Sequence, residues 1–311
     1  MRIWGAILLL THFLGSPAGA APASSEAAEY YFRNQDYRKS LALWGEFLQS
    51  QPDNVGGVLR VGELTLLLEG RPSLDEFISR QVAPRVRSFS PEQFHQLNEG
   101  LERLQSRFLT DKGQARYLQS LEHFKVHDCK EALVLLDEAV SLEKGNLRAL
   151  QLKASCEAAL ELWEKRFSTL KRAARSNPLQ PEVQQRLFES YVYFGEYGRL
   201  IAELQGVSAK QLSPRERTAW AVALWNEKKN DSAWRVVRGL LSEPGSPKHP
   251  VLYFLAGDLL SDSTREQASR YFKTFLARAA DPGEILIDGL DPYHTERFLP
   301  LAQKFLGEKT L

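Results

Sequence analysis

The feature that most limits how this chain can fold is a column of residues that recurs every 33 to 35 positions. The column consists of Ala132, Arg166, Leu200, Ala233 and Ala268, at spacings of 34, 34, 33 and 35, and only the arginine is neither small nor aliphatic. A second column follows four residues later on the same helical face. Its members are Leu136, Leu170, Leu204, Val237 and Phe272. A third column precedes the first by nine residues and consists of His123, Glu157, Tyr191, Leu224 and Leu259. The pattern predicts a repeated unit of helix, tight turn and helix.

A similar unit occurs near the start of the chain, where residues 34–54 read NQDYRKSLALWGEFLQSQPDN. Its pattern residues are Ala28 and Tyr31 in a first helix, then Tyr37, Ser40, Trp44, Phe47 and Pro52. A period near 34 residues with two helices per unit is typical of tetratricopeptide repeats (TPR). The chain resembles this family over residues 24–54 and 113–282.

The resemblance implies an all-α fold, a right-handed superhelical solenoid of stacked antiparallel helix pairs. Stacked neighbours make the core, since one pair cannot bury its apolar face alone. The predicted division is a signal peptide at 1–20, a first TPR-like unit at 21–54, degenerate helical repeats at 55–112, a TPR-like array at 113–282, and a C-terminal connection and capping helix at 283–311.

The segment after Pro282 no longer follows the repeat. Residues 281–291 are acidic but lack the alternation of an EF-hand loop, so a solvated connection is predicted there. Residues 294–306 are predicted to form a closing helix. The side chains expected to pack on the last pair are Phe298, Leu301 and Phe305.

The first twenty residues predict export. Arg2 is followed by a largely apolar stretch and by small residues ending in the pattern Ala18-x-Ala20, the layout of a secretory signal peptide cleaved after Ala20. The alternative is a buried N-terminal helix. No later stretch reaches the roughly 20 apolar residues that span a bilayer. We therefore predict a periplasmic protein of a Gram-negative bacterium, or alternatively a secreted one, with no transmembrane segment in the mature chain.

The two cysteines, Cys129 and Cys156, are a candidate disulfide in an oxidising compartment. Cys129 is predicted to begin the second helix of one unit, and Cys156 to lie late in the first helix of the next. The two are then at the same height across a turn, but the rotation of the helices is not fixed by the spacing. Two buried free thiols are the alternative.

Charge and motifs argue against several classes of function. Forty basic and thirty-nine acidic residues give a net charge of +1, so no overall field favours nucleic acid. The sequence contains no GxSxG, P-loop, HExxH or CxxC motif. His123 and His127 could offer two imidazoles on one helical face, but the first lies in a packing column and the second at a turn. We predict no catalytic residue, no metal site and no cofactor.

The family geometry implies a concave groove lined by first helices, and some side chains are predicted to face it. The aromatic set is Phe32, Tyr117, Phe124, Trp225 and Tyr253, and the polar set is Arg148, Gln151, Ser155, Gln185, Glu189 and Thr218. Such a mixture suits a protein or peptide partner. A solvated face without a partner is the alternative. Some family members bind C-terminal carboxylates through a basic clamp with asparagines, and no matching Lys/Asn set occurs here.

The leading hypothesis is an exported scaffold or adaptor in an envelope complex. The second is an accessory protein of polysaccharide or outer-membrane export machinery that binds a polymer, and an enzyme is third.

Overall fold

The computed structural model describes residues 24–244 and 248–307, and in these residues it is helical apart from turns and one isolated β-bridge. The predicted signal peptide lies outside them. The chain divides into two units between Gln105 and Ser106.

The first unit contains two helix pairs and a longer helix. The helices are α1 (Ser25–Arg33), α2 (Tyr37–Ser50), α3 (Val55–Glu69), α4 (Arg71–Phe77) and α5 (Pro91–Ser106), with a π-helical turn at Ile78–Val82 and a 3₁₀ turn at Ala83–Ser88 between the last two. Ala28 and Ser40 are fully buried, and the Ser40 hydroxyl donates to the Ala28 carbonyl at 2.9 Å. The small residues therefore allow α1 and α2 to approach closely.

The start of α5 has the capping arrangement that its sequence favours. The backbone N–H of Gln93 donates to Ser90 Oγ at 3.2 Å, and the side-chain oxygen of Gln93 accepts from the backbone N–H of Ser90 at 2.8 Å. The reciprocal pair satisfies two donors that a helix start leaves open.

The second unit is a run of five antiparallel helix pairs. The pairs are α6 (Asp111–Lys125) with α7 (Cys129–Leu142), α8 (Leu147–Ala159) with α9 (Trp163–Ser176), α10 (Pro181–Tyr193) with α11 (Tyr197–Glu203), α12 (Pro214–Asn226) with α13 (Asn230–Ser242), and α14 (Val251–Leu260) with α15 (Arg265–Ala279). Second helices start at intervals of 34, 34, 33 and 35 residues, which confirms the period of the sequence.

The turn inside each of the first four pairs contains one residue with positive φ. These residues are His127, Glu161, Gly195 and Lys228, with φ between 57° and 72°. Only Gly195 adopts this conformation without a steric cost from Cβ. The recurring left-handed residue reverses the chain at the same point in each unit.

Most residues of the predicted packing columns are buried in this unit, but His123 and Leu259 of the third column are only half-buried. Ala132, Leu136, Leu200, Ala233 and Ala268 are fully buried. Each sits where two helices are close, so a small or compact side chain fits. Stacking of successive pairs thus provides the burial that a single pair lacks.

The C-terminal residues close the last pair. They form α16 (Pro282–Ile285), a 3₁₀ turn at Thr295–Phe298 and α17 (Leu299–Leu306). Phe298 is buried and Phe305 packs on Phe272 at 4.8 Å between ring centroids, but Leu301 is 53% exposed. The prediction for Leu301 is wrong, because α17 turns that side chain towards solvent.

Candidate functional site

Residues 286–298, which we call the C-terminal strap, fold back onto helices much earlier in the chain. Asp288 pairs with Arg166, 122 residues before it, and His294 contacts Tyr193, 101 residues before it. The predicted solvated connection at 281–291 is exposed at Leu286, Asp288 and Gly289, but Leu290 is buried and Asp288 also pairs with Arg166. A buried arginine and a backbone carbonyl hold this part of the chain against the helix pairs.

The first turn of the strap presents Asp288. Ile287 and Leu290 exchange backbone hydrogen bonds of 2.6 and 3.0 Å, and the two residues between them have positive φ, 52° at Asp288 and 79° at Gly289. Two-residue turns of this kind favour Asp-Gly. The Asp288 carboxylate lies 2.9 Å from Arg166 Nη2 and 3.3 Å from Arg186 Nε.

Arg166 explains the exception in the first sequence column. Its side chain is only 6% exposed, and burial lowers the pKa of its guanidinium. A guanidinium stays charged in a protein, so burying it is costly unless an anion is nearby. Asp288 is that anion.

A cavity of about 390 Å³ surrounds this ion pair. Its lining includes Ser155, Trp163, Arg166, Arg186, Asp288 and Gly289. Helices α8, α9 and α10 and the strap all contribute. The cavity therefore lies where three helices of successive pairs meet the first turn of the strap.

The second turn of the strap is held by Asp291. Its carboxylate accepts from the Tyr293 N–H at 3.0 Å, from the Thr295 N–H, and from Thr295 Oγ1 at 3.2 Å. Next to it, His294 Nε2 lies 3.0 Å from the Tyr193 carbonyl oxygen, and the two rings stack at 4.6 Å. The strap thus has its own internal scaffold as well as contacts to the helices.

Tyr293 is the most deeply buried part of the strap. Its ring meets His249 edge to face at 4.6 Å, and burial raises the pKa of its hydroxyl. The hydroxyl has no hydrogen-bond partner among the residues that the structure describes. This half of the strap is built into the core.

Glu189, one of the predicted groove residues, is buried and forms an ion pair with the partly exposed Arg215. Its two carboxylate oxygens accept from Arg215 Nε at 2.8 Å and Nη2 at 3.0 Å, and the Gln185 amide lies against the same guanidinium. Burial raises the pKa of Glu189, although Arg215 opposes the effect. The pair joins α10 to α12.

Several other predicted groove residues are also used within the chain. Tyr117 is buried against Phe108, with ring centroids 5.1 Å apart, and the buried Thr218 donates to the Pro214 carbonyl at 2.8 Å. Trp225 Nε1 donates to Asp258 at 2.7 Å. These side chains are not free for a partner in this conformation.

The predicted aromatic groove residues other than Tyr117 are half-buried. Trp225 also meets Phe298 of the strap edge to face at 5.7 Å, and Tyr253 lies under Arg278 at 5.1 Å. Phe124 packs against the core of the second unit. Phe32, in the first unit, lies under the Arg60 guanidinium at 3.9 Å.

The accessible members of the predicted set lie mainly on α8. Arg148 is exposed, Gln151 and Ser155 are half-buried, and the Ser155 hydroxyl donates to the Gln151 carbonyl at 3.1 Å. Only Ser155 borders the cavity. Within the second unit, the predicted residues thus differ: Glu189 and Thr218 are buried, whereas Arg148 is exposed.

Sequence reasoning missed Arg166, Arg186, Asp288, Tyr293 and His294 as site residues. Two signals were present: Arg166 interrupts a column of small and aliphatic residues, and Ile287-Asp288-Gly289-Leu290 has the form of a tight hairpin turn. Neither signal indicates that Arg166 and the turn at Asp288 contact each other.

Cys129 and Cys156 are both free thiols and both buried. Burial raises the pKa of the Cys156 thiol to about 12, and the neighbouring Cys129 thiol adds to the effect. The helices thus bring the two sulfurs together, and the disulfide stays a prediction.

The histidine pair does not form a metal-binding cluster in the structure. His123 Nδ1 lies 3.1 Å from Asp128, whereas His127 occupies the turn with φ 60°. Among residues 24–244 and 248–307, no three His, Cys, Asp or Glu side chains are grouped to hold a metal ion. Within the same ranges, no helix is both long and apolar enough to cross a membrane.

Comparison with known proteins gives structural neighbours only. No family model matches the chain, and no curated protein matches it either. The C-terminal part of a TPR repeat-containing protein from Cytophaga hutchinsonii covers 86% of this chain and 99% of its own, with 14% identity and a TM-score of 0.41. PilW, titled a widely conserved type IV pilus biogenesis factor, covers 84% of this chain and 94% of its own, with 15% identity and a TM-score of 0.27.

TM-scores and sequence identities this low support no conclusion about function. The fold is therefore assigned from the helix pairs of the chain itself. Antiparallel helix pairs stack in sequence order, and their second helices recur at 33 to 35 residues. This spacing and pairing are those of tetratricopeptide repeats. The chain is a TPR-like protein with an all-α, solenoid-type repeat of helix pairs.

Proposed function

We propose that this protein is an exported scaffold or adaptor that mediates protein–protein interactions in an envelope complex. The observation that carries the proposal is that its helix pairs already bind a non-helical segment, the C-terminal strap, through Arg166, Arg186 and the Tyr193 carbonyl. A surface that already holds one segment built of tight turns has the donors to hold another segment.

The exposed surface of α8 next to the strap is the proposed contact region. Arg148 and Gln151 reach solvent there, and Ser155 continues the row to the cavity. Residues three and four apart on a helix lie on one face, so these side chains can contact one partner together. We place the binding role in the array at 113–282.

Export and a periplasmic location are proposed from the sequence of residues 1–20. The cationic start, apolar stretch and Ala-x-Ala ending support a signal peptide. We propose no catalytic role and no cofactor, and the partner is a protein or peptide instead of nucleic acid.

Affinity capture from envelope extracts of the source organism, with the full exported chain as bait, tests the proposal. We expect a protein partner that is captured by the native chain and lost with Arg148→Glu/Gln151→Ala. Arg172→Glu is the matched control, since Arg172 is an exposed arginine on the neighbouring helix α9. Retention of polysaccharide without any protein would instead favour the polymer-binding accessory role.

A further inference from the structure

We propose that the cavity at Arg166 and Arg186 is a docking site for an acidic turn of a partner protein, and that the chain's own Asp288 turn is its removable plug. This inference rests on the proposed role in binding proteins. It adds the chemistry of the ligand: an aspartate at the tip of a tight Asp-Gly type turn.

The charges of the cavity require an acidic occupant. Its lining contains the arginines at 166 and 186 and the acidic residues Glu161 and Asp288. With Asp288 in place the formal charges cancel, and without it one positive charge is left in excess. Arg166 is buried and stays protonated. Removal of Asp288 from the cavity therefore leaves a buried positive charge that another carboxylate can neutralise.

The exposure of the first turn of the strap is consistent with a plug that can leave the cavity. Leu286, Asp288 and Gly289 are exposed, whereas Leu290, which closes the turn, is only 8% exposed and Tyr293 further along the strap is fully buried. The turn closes on itself through the Ile287–Leu290 hydrogen bonds and does not depend on the helices for its shape. The first turn can therefore leave the cavity while the Tyr293 half of the strap stays in the core.

The geometry also selects a side-chain carboxylate on a turn. Arg166 and Arg186 approach the same Asp288 oxygen, at 2.9 and 3.3 Å, from two different helices. A charge-assisted hydrogen bond from Arg166 and the ion pair with Arg186 converge on this oxygen and fix its position. A pre-formed turn loses little conformational freedom on binding, which favours it over a flexible acidic tail.

The test uses a peptide with the chain's own plug sequence, EILIDGLD, which carries fluorescein on its N-terminal amine and is amidated at its C-terminus to remove the terminal charges. Full-length chains are compared: the native chain and Gly289→Val. Gly289 has φ 79°, and no atom of another residue lies within 4 Å of the point that a Cβ would occupy, so valine strains the plug turn without touching the helices. If the plug occupies the cavity about nine-tenths of the time, Gly289→Val binds the peptide about tenfold more tightly than the native chain.

Two matched controls identify the site. Adding Arg186→Ala to Gly289→Val should lower the peptide affinity at least about tenfold, because it removes one of the two cationic contacts. Adding Arg172→Ala should leave it unchanged. The peptide EILINGLD, which lacks the anchoring carboxylate, should bind Gly289→Val no better than it binds the native chain.

The proposal fails if the native chain and the folded Gly289→Val chain bind EILIDGLD equally, or if EILINGLD binds as well. Circular dichroism verifies folding, and Asp288→Asn serves as the unplugged chain if Gly289→Val does not fold. The two proposals fail separately: captured protein partners without peptide binding contradict this inference alone, and peptide binding without any captured partner contradicts the proposed function alone.

Discussion

His294 stacks on Tyr193 with ring centroids 4.6 Å apart, and its Nε2 lies 3.0 Å from the carbonyl oxygen of the same tyrosine. A neutral ring must therefore carry its proton on Nε2 to donate this bond. One side chain thus ties the C-terminal strap to the end of α10 by two different interactions.

Replacing His294 by alanine should loosen the strap. A ring stack and a hydrogen bond each contribute about 0.5–1.5 kcal/mol, so we expect the free energy of unfolding to fall by about 1–3 kcal/mol. Chemical denaturation measures the loss, and hydrogen exchange should be faster in residues 286–295. His95→Ala is the control, because His95 is exposed on α5. Unchanged exchange in the strap would show that the contact does not hold it.

The Arg166–Asp288 pair should show strong coupling. Asp288→Ala leaves a buried guanidinium without its anion, and because the Asp288 side chain is 34% exposed we expect a cost of only about 1–3 kcal/mol. The double substitution Arg166→Met/Asp288→Ala removes both charges and should be more stable than Asp288→Ala alone. A double-mutant cycle measures the coupling, and additive effects of the two substitutions would contradict the pairing.

A charged side chain in the first packing column should destabilise the second unit. Ala132 and Ala268 are fully buried, so arginine at either position overpacks a helix contact or buries an unpaired charge, at several kcal/mol by order of magnitude. The thermal midpoint of Ala132→Arg and of Ala268→Arg should fall sharply. Val134→Arg on the same helix as Ala132 is the control, since Val134 is 53% exposed. An unaltered midpoint for both alanine variants would contradict the register of the columns.

Because His249 is partly buried in the fold, we expect the free energy of unfolding to fall in acid. Burial lowers the pKa of its ring below the ordinary 6.5, and the ring is held neutral, with Nδ1 accepting from the Val251 N–H and Nε2 facing the Ile285 carbonyl. Below pH 6.5 the unfolded chain takes up a proton more readily than the folded one, so the stabilising contribution is present above that pH and is lost as the pH falls.

The measurement is the difference in unfolding free energy between the native chain and His249→Gln at pH 7 and at pH 5. We expect the native chain to lose about 1 kcal/mol relative to the variant over this range. His95→Gln, at an exposed position, is the matched control. A constant difference for His249→Gln would mean that His249 titrates normally in the fold.

The two cysteines should be joined when the chain is made in its exported form. Their buried thiols are neighbours, and a disulfide would close a loop of under thirty residues, with about 3 kcal/mol of stabilisation. The raised pKa of Cys156 makes its thiolate scarce in the folded chain, so the bond should form during folding in an oxidising compartment. Labelling of denatured, unreduced exported protein should find no free thiol, with a monomeric mass on a non-reducing gel. Protein made under reducing conditions is the control with two thiols, and two labelled thiols in the exported form would refute the bond.

The helix pairs could be predicted from sequence because their signals are local. Spacing of Ala132, Leu200, Ala233 and Ala268 sets the period, and the side chains of Ser90 and Ser213 cap helix starts in the structure. Each repeat contacts its sequence neighbours, so a periodic pattern is enough to place one pair beside the next.

The site could not be predicted in the same way. Arg166 and Asp288 are 122 residues apart, and no period relates a loop after the last pair to the start of α9. The family geometry also made Glu189 and Thr218 groove residues, whereas both are buried and paired within the chain. Whether a side chain faces the groove or the core depends on the rotation of its helix about the helix axis. The spacing of residues constrains that rotation only loosely.

The sequence by itself determined the all-α class, the period of the helix pairs and the small residues at their close contacts, because these depend on interactions within a unit and between adjacent units. Only the tertiary structure decided that the C-terminal strap lies on those helices, with Asp288 as the counter-ion of a buried arginine and Tyr293 in the core. The reason is physical: a long-range contact is selected by the burial and charge balance of the folded surface, which the order of residues along either segment does not express.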